Sequence, residues 1–128
     1  MRIALIVFLS LIVAGCASTE TVKKARGQGV SRVYAAPPDR VFDATLAAAK
    51  DRQLEVVEAD RRAGRILLSH GVTWLSWGER IAVFLRAANP GSTEVEIVSK
   101  PVLAPLNFPP DWQQILLDRI GIELRAGR

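Results

Sequence analysis

The chain has one cysteine, one histidine, one tyrosine and one methionine in 128 residues. A single cysteine excludes a disulfide framework. A single histidine leaves little from which to build a metal site, which needs several His, Cys, Asp or Glu ligands converging. The acidic residues show no paired ligand spacing that would replace it. A Ser-His-Asp relay would need His70 as its base, but neighbouring Ser69 points to the opposite face of a regular strand. Glycine-rich phosphate loops and dinucleotide fingerprints are missing. So is any apolar run long enough to span a bilayer: twelve residues, 3–14, cover about 18 Å of helix against a ~30 Å hydrocarbon core. Net charge is modest at +4, and 49% of the residues are hydrophobic, which excludes disorder throughout. These absences lead us to expect no cofactor, no metal and no enzymatic activity.

What is present begins at the N-terminus. Twelve of the first fifteen residues are hydrophobic, and 51 of the other 113, an ordinary globular share that suits one domain. Arg2 precedes the apolar run, which stops at Gly15-Cys16 before a polar stretch. That is the layout of a secretory signal peptide over residues 1–15. Val13-Ala14-Gly15-Cys16 resembles the lipobox of bacterial lipoproteins: an aliphatic residue, two small residues, then cysteine. The resemblance implies a diacylglycerol on the Cys16 sulfur, cleavage before Cys16, and an acyl chain on the new amine. Two or more acyl chains anchor stably without spanning. Ala17, in place of the Asp that resembles an inner-membrane retention signal, favours the outer membrane, facing the periplasm. That address argues against nucleic acid as the partner, despite a pI near 9.8.

Residues 16–29 are expected to be the lipidated cysteine and a flexible tether. The stretch after Cys16 is small, polar and glycine-containing, with a reach on the order of 20 Å. Lys23, Lys24 and Arg26 form a basic cluster there that suits either anionic headgroups or plain solvation.

Residues 30–128 carry the folded domain. A first strand is predicted over 30–36. Pro38 and Asp39 suit a helix start, and the spacing predicts a helix over 38–53 with Val41, Phe42, Thr45, Leu46, Ala48 and Ala49 on one face. Strands follow over 54–59, 65–73, 79–88 and 93–100, with turns at Asp60–Gly64 and Asn89-Pro90-Gly91-Ser92. Two registers suit the last hairpin, placing Arg86 opposite Glu94 or opposite Glu96; either keeps Val83 and Leu85 on the face of Val95 and Ile97. A second helix is predicted over 111–124. The order β-α-β-β-β-β-α gives an α+β fold, a two-layer antiparallel sheet with two helices. The layout resembles the helix-grip domains of outer-membrane assembly accessory lipoproteins. It also resembles envelope lipoprotein families that share Pro38-Asp39-Arg40-Val41-Phe42 at a helix start and Asp60-Arg61-Arg62-Ala63-Gly64-Arg65-Ile66 at a hairpin. Those motifs are structural signals and carry no catalytic residue across.

Contact residues are the remaining question. Trp74, if it continues the third strand, joins Ile66, Leu68 and Val72 in the core; Trp77 beside Gly78 is expected at the surface. Exposed aromatics suit partner anchoring or membrane-interface contact. The 103–110 loop, with Leu106 and Phe108, would extend that surface. Phe84 and Val98, on the outer sheet face, form another candidate patch. Arg61, Arg62 and Arg65 cluster at one hairpin and suit either an anionic surface or, as the plainer reading, a solvated turn. Taken together, the sequence describes a membrane-anchored envelope module that binds a protein partner. The alternative is a module gripping a lipid or another small apolar ligand between helix and sheet.

Overall fold

The structure, a computed structural model, describes residues 18–103 and 108–127. The signal-like run, Cys16 and Leu106 lie outside the described residues. In chain order the elements are α1 (Thr19–Lys23), β1 (Val30–Tyr34), α2 (Pro38–Asp51), β2 (Glu55–Asp60), β3 (Arg65–His70), β4 (Glu79–Asn89), β5 (Ser92–Pro101) and α3 (Trp112–Ala126). The sheet is antiparallel throughout, in the order β1-β5-β4-β3-β2. The chain lays down β1 at one edge and crosses through α2 to the far edge. It then returns as a meander that closes on β1. The architecture is the expected α+β two-layer fold, with one short helix in addition.

Strand parity assigns the inner face. Ile66 and Leu68 of β3, Ile81, Val83 and Leu85 of β4, and Val95 and Ile97 of β5 are buried under α2 and α3. Helix α2 contributes Val41, Ala48 and Ala49, each with no exposed surface; α3 contributes Leu116, Leu117 and Ile120. The last hairpin adopts the register with Arg86 opposite Glu94, and the two side chains meet at 2.6 Å. Gly64 has φ +65°, and a Cβ there would lie 2.4 Å from the Leu85 carbonyl oxygen, so the β2–β3 turn needs glycine.

Three expectations fail here. The tether is not a plain linker from Ser18 onward. Ser18 caps α1, with its hydroxyl accepting from the Thr21 amide. Val22 and Ala25 are buried on the outer sheet face, against Leu67, Ala82, Phe84 and Val98. The Glu96 carboxylate then accepts from the Gly27 and Gly29 amides at 2.7–2.9 Å. A Cβ on Gly29 would lie 2.2 Å from the Ile97 carbonyl oxygen, so the chain passes too close to β5 for any side chain. For the same reason Phe84 and Val98 are not an exposed patch: α1 covers them.

The third strand also ends early. It stops at His70, opposite Glu79, because β4 offers no partner before Glu79. Gly78, at φ +98°, turns the chain into β4 instead. Trp74 therefore does not continue a core strand. It stands on the connecting loop, 90% exposed.

Candidate functional site

The β3–β4 loop, residues 71–78, is built around a buried polar chain. Glu79 has no exposed surface and lies on the inner face beside His70. Its carboxylate is 2.6 Å from His70 Nδ1 and accepts from the Ser76 hydroxyl at 2.6 Å. Ser76 Oγ in turn accepts from the Gly78 amide, and the Ser76 carbonyl accepts from the Thr73 amide. One carboxylate thus ties the end of β3 to the far part of the loop. The His70 ring lies 4.8 Å from the Trp112 ring, tilted, at the start of α3. Trp112 Nε1 is the one buried side-chain polar atom among the described residues without a hydrogen-bond partner.

Ser69 lies on the opposite face, as parity requires, where its hydroxyl accepts from Arg80. Sequence reasoning did not single out Glu79. The signal was present: Glu79 shares parity with Ile81 and Val83, and His70 with Leu68, so both point into the core. The chemistry of this cluster is that of a brace, because the serine proton is directed at a carboxylate and not at the imidazole. Among the described residues no group of three His, Cys, Asp or Glu could hold a metal ion.

The braced loop carries an apolar surface. Val72, Trp74, Leu75 and Trp77 are exposed on it. The chain after β5 joins them: the Val102 amide donates to the Gly78 carbonyl, and the Phe108 amide to the Leu75 carbonyl. Leu103 and Phe108, the latter 69% exposed, complete a cap of six exposed apolar side chains at one end of the sheet. Trp77, Trp74 and Phe108 are thus brought together, as the sequence suggested for two of them. Asp111 stands at the rim, occupied in capping the Gln114 amide of α3.

Several of the basic residues singled out in the sequence have partners within the domain. Arg61 bridges Asp39 and Asp43 and lies over the Phe42 ring, 4.3 Å from its centroid. Asp43, then Asp39, raises the Arg61 pKa through hydrogen bonds. Arg65 is within salt-bridge distance of Glu58 and Asp60. The hairpin cluster is thereby largely neutralised from within, leaving Arg62 free of an acidic partner among the described residues. Lys23 meets Glu20 and Glu58, and Arg26 lies over Phe84. Lys24 stays exposed. The cations that matter near the cap were not anticipated. Arg80 and Lys100 face each other across β4 and β5 on the rung next to it. Arg80 donates to the Ser69 hydroxyl and the Glu79 carbonyl, and neither cation has a carboxylate within 4 Å among the described residues.

A second concavity, about 410 Å³, opens between β1 and α3. Arg32, Tyr34, Arg40, Gly121 and Arg125 line it. Arg32 donates to Asp118 at 2.8 Å, which raises its pKa, and the Tyr34 hydroxyl donates to the Leu117 carbonyl.

No protein-family model matches the chain, and no curated protein matches it. Among solved structures it is similar to Ara h 8.0201, at 13% identity and TM-score 0.49, over 75% of this chain and 95% of that one. It is also similar to the di-domain ARO/CYC protein StfQ from the steffimycin biosynthetic pathway, at 17% identity and TM-score 0.46. That match covers 76% of this chain and 42% of the other. A third similar structure is protein CV1439 from Chromobacterium violaceum, at 19% identity and TM-score 0.45, over 76% and 92% of the two chains.

Proposed function

We propose that this protein is a lipid-anchored, non-enzymatic accessory module of the bacterial envelope that acts by contact. The cap formed by the 71–78 loop together with Leu103 and Phe108 is its contact surface, and the neighbour it meets is another envelope component, such as the protein partner expected from the sequence. The observation that carries this reading is Trp74, 90% exposed on a loop held in place by a buried carboxylate. A braced loop presenting two tryptophans, with Phe108 tied to it through the Leu75 carbonyl, has part of its ordering cost already met by the fold, which suits a surface meant to be covered. Anchoring through Cys16 rests on the lipobox resemblance; substituting Cys16→Ala is expected to leave the precursor unprocessed.

A small apolar ligand gripped between helices and sheet is the weaker alternative. The centre of the helix–sheet interior is filled by Ile66, Ile81, Val83, Leu116 and Ile120, which leaves the concavity of about 410 Å³ between β1 and α3 as the place for such a ligand. Photo-crosslinking in intact cells tests the reading. A crosslinking residue at Trp74 or Phe108 is expected to capture an envelope component, whereas one at Arg62, at the opposite end of the sheet, is not. Equal labelling at all three positions, or none at Trp74 and Phe108, contradicts it.

A further inference from the structure

We infer that the occupant of the cap is a bilayer interface: the aromatic side chains enter the boundary between headgroups and acyl chains, and Arg80 and Lys100 meet anionic headgroups. This rests on the cap being the contact surface, and it names what that surface touches.

The composition of the cap is the first reason. Trp74, Trp77 and Phe108 are joined by Val72, Leu75 and Leu103, all exposed. Tryptophan has an apolar ring and one N–H, which suits it to the region where acyl chains give way to headgroups. The side chains arise from two loops tied together by the Val102–Gly78 and Phe108–Leu75 backbone hydrogen bonds. They can therefore enter together without the backbone having to order itself first.

Charge is the second reason. Lys23, Arg32, Arg61, Arg65, Arg86 and Arg119 each have a carboxylate within 2.6–4.0 Å. Arg80 and Lys100 have no acidic neighbour within salt-bridge distance among the described residues, as is also true of Lys24, Arg26, Arg40, Lys50, Arg62 and Arg125; what sets them apart is that they share the rung next to the cap. The carboxylate beneath the cap, Glu79, is sealed by His70 and Ser76, so it sets no bare negative charge against an anionic surface; exposed Asp111, which caps the Gln114 amide, offsets part of the charge of Arg80 and Lys100. Apolar side chains flanked by cations complement an anionic bilayer in both respects.

Proximity is the third reason. Cys16 lies two residues before Ser18, where the cap of α1 begins, and six before Val22, the first buried side chain. Six extended residues reach at most about 20 Å. Acyl chains on Cys16 would hold the domain at the bilayer surface.

The test uses the full chain, purified from a bacterial host and reconstituted into vesicles. These are phosphatidylcholine alone, or phosphatidylcholine with phosphatidylglycerol, each with and without bromine on the acyl chains. Flotation reads whether the chain is on the vesicles. Tryptophan emission reads the cap, because Trp112 is buried and Trp74 and Trp77 are not. The expected result is a blue shift and loss of most cap emission on brominated vesicles, stronger with phosphatidylglycerol. Trp74→Ser with Trp77→Ser abolishes the quenching but not the flotation. Arg80→Gln with Lys100→Gln removes the difference between the two lipid mixtures. A chain that floats while its emission stays unquenched and water-like overturns the inference. If a crosslinker at Trp74 then captures a protein, the contact-surface reading stands without it; if it captures nothing, both fall. A chain that floats with neither mixture overturns the inference and the anchoring together.

Discussion

Tyr34 is the only tyrosine, and it is packed under α3 with its hydroxyl donating to the Leu117 carbonyl. Burial pushes its pKa from the ordinary 10.0 up to about 12, because a phenolate there would lose water and could no longer donate. Between those values the unfolded chain has released a proton that the folded chain still holds. Stability therefore falls as pH rises from about 10 toward 12, by about 2–3 kcal/mol at most. Titrating the tyrosinate absorbance is expected to give a midpoint near 12 in the folded protein and near 10 in urea; a folded midpoint near 10 contradicts the placement. Tyr34→Phe is expected to abolish that alkaline slope.

Glu79 is the second residue on which much depends. Its carboxylate is fully buried and serves both His70 and Ser76. Glu79→Ala leaves the buried Ser76 hydroxyl and the half-buried His70 ring without their partner, at a cost of about 2 kcal/mol. It also releases the loop, so amide exchange at Leu75 and Gly78 is expected to accelerate by more than the global loss of stability explains. Exchange that follows global stability alone would mean that the carboxylate is not the brace.

At the scale of elements, helix α1 shows how packing creates structure that propensity does not. Five residues are too few to stay helical alone in water. The helix persists because Val22 and Ala25 fill the outer face and because Glu96 takes the amides that follow. Val22→Asp places a carboxylate in that cluster and is expected to undock residues 18–27. Trypsin should then cut after Lys23, Lys24 or Arg26 well before the rest of the domain unfolds. Cleavage at the wild-type rate contradicts the docking.

The same element marks what the sequence could and could not convey. Helices α2 and α3 and strands β4 and β5 were legible because each repeats its apolar period over ten or more residues. Pro38 and the Asn89-Pro90-Gly91 turn fixed their limits to within a few residues. Helix α1 offers a single apolar side chain, Val22, followed by Ala25 three positions on, inside a polar stretch, and nothing local distinguishes that from a linker. Strand β3 was read too long for the opposite reason: the alternation of Leu68, Val72 and Trp74 continues after the partner strand has ended. Pairing decides where a strand stops, and pairing is not local.

At the scale of the whole molecule, the two ends of the sheet differ. The end bearing Arg61, Arg62 and Arg65 answers most of its own charge with Asp39, Asp43, Glu58 and Asp60. The other end carries exposed tryptophans beside Arg80 and Lys100. The sequence suggested the second site through Trp77 and Phe108 and left the first open between an anionic surface and a solvated turn, because a run of arginines does not announce carboxylates that arrive from α2. Nor did it disclose that Arg80 and Lys100 share a rung, which depends on the β4–β5 register.

The central claim is that the cap is a surface for contact and not part of the packing. Trp74→Ser combined with Phe108→Ser tests it most directly, with a photo-crosslinker at exposed Val72 reporting contact in intact cells. The unfolding free energy should stay within about 0.5 kcal/mol of wild type, since surface substitutions rarely exceed that. The adducts formed from Val72 should disappear. Unchanged adducts, or a protein that loses several kcal/mol of stability, would contradict the account.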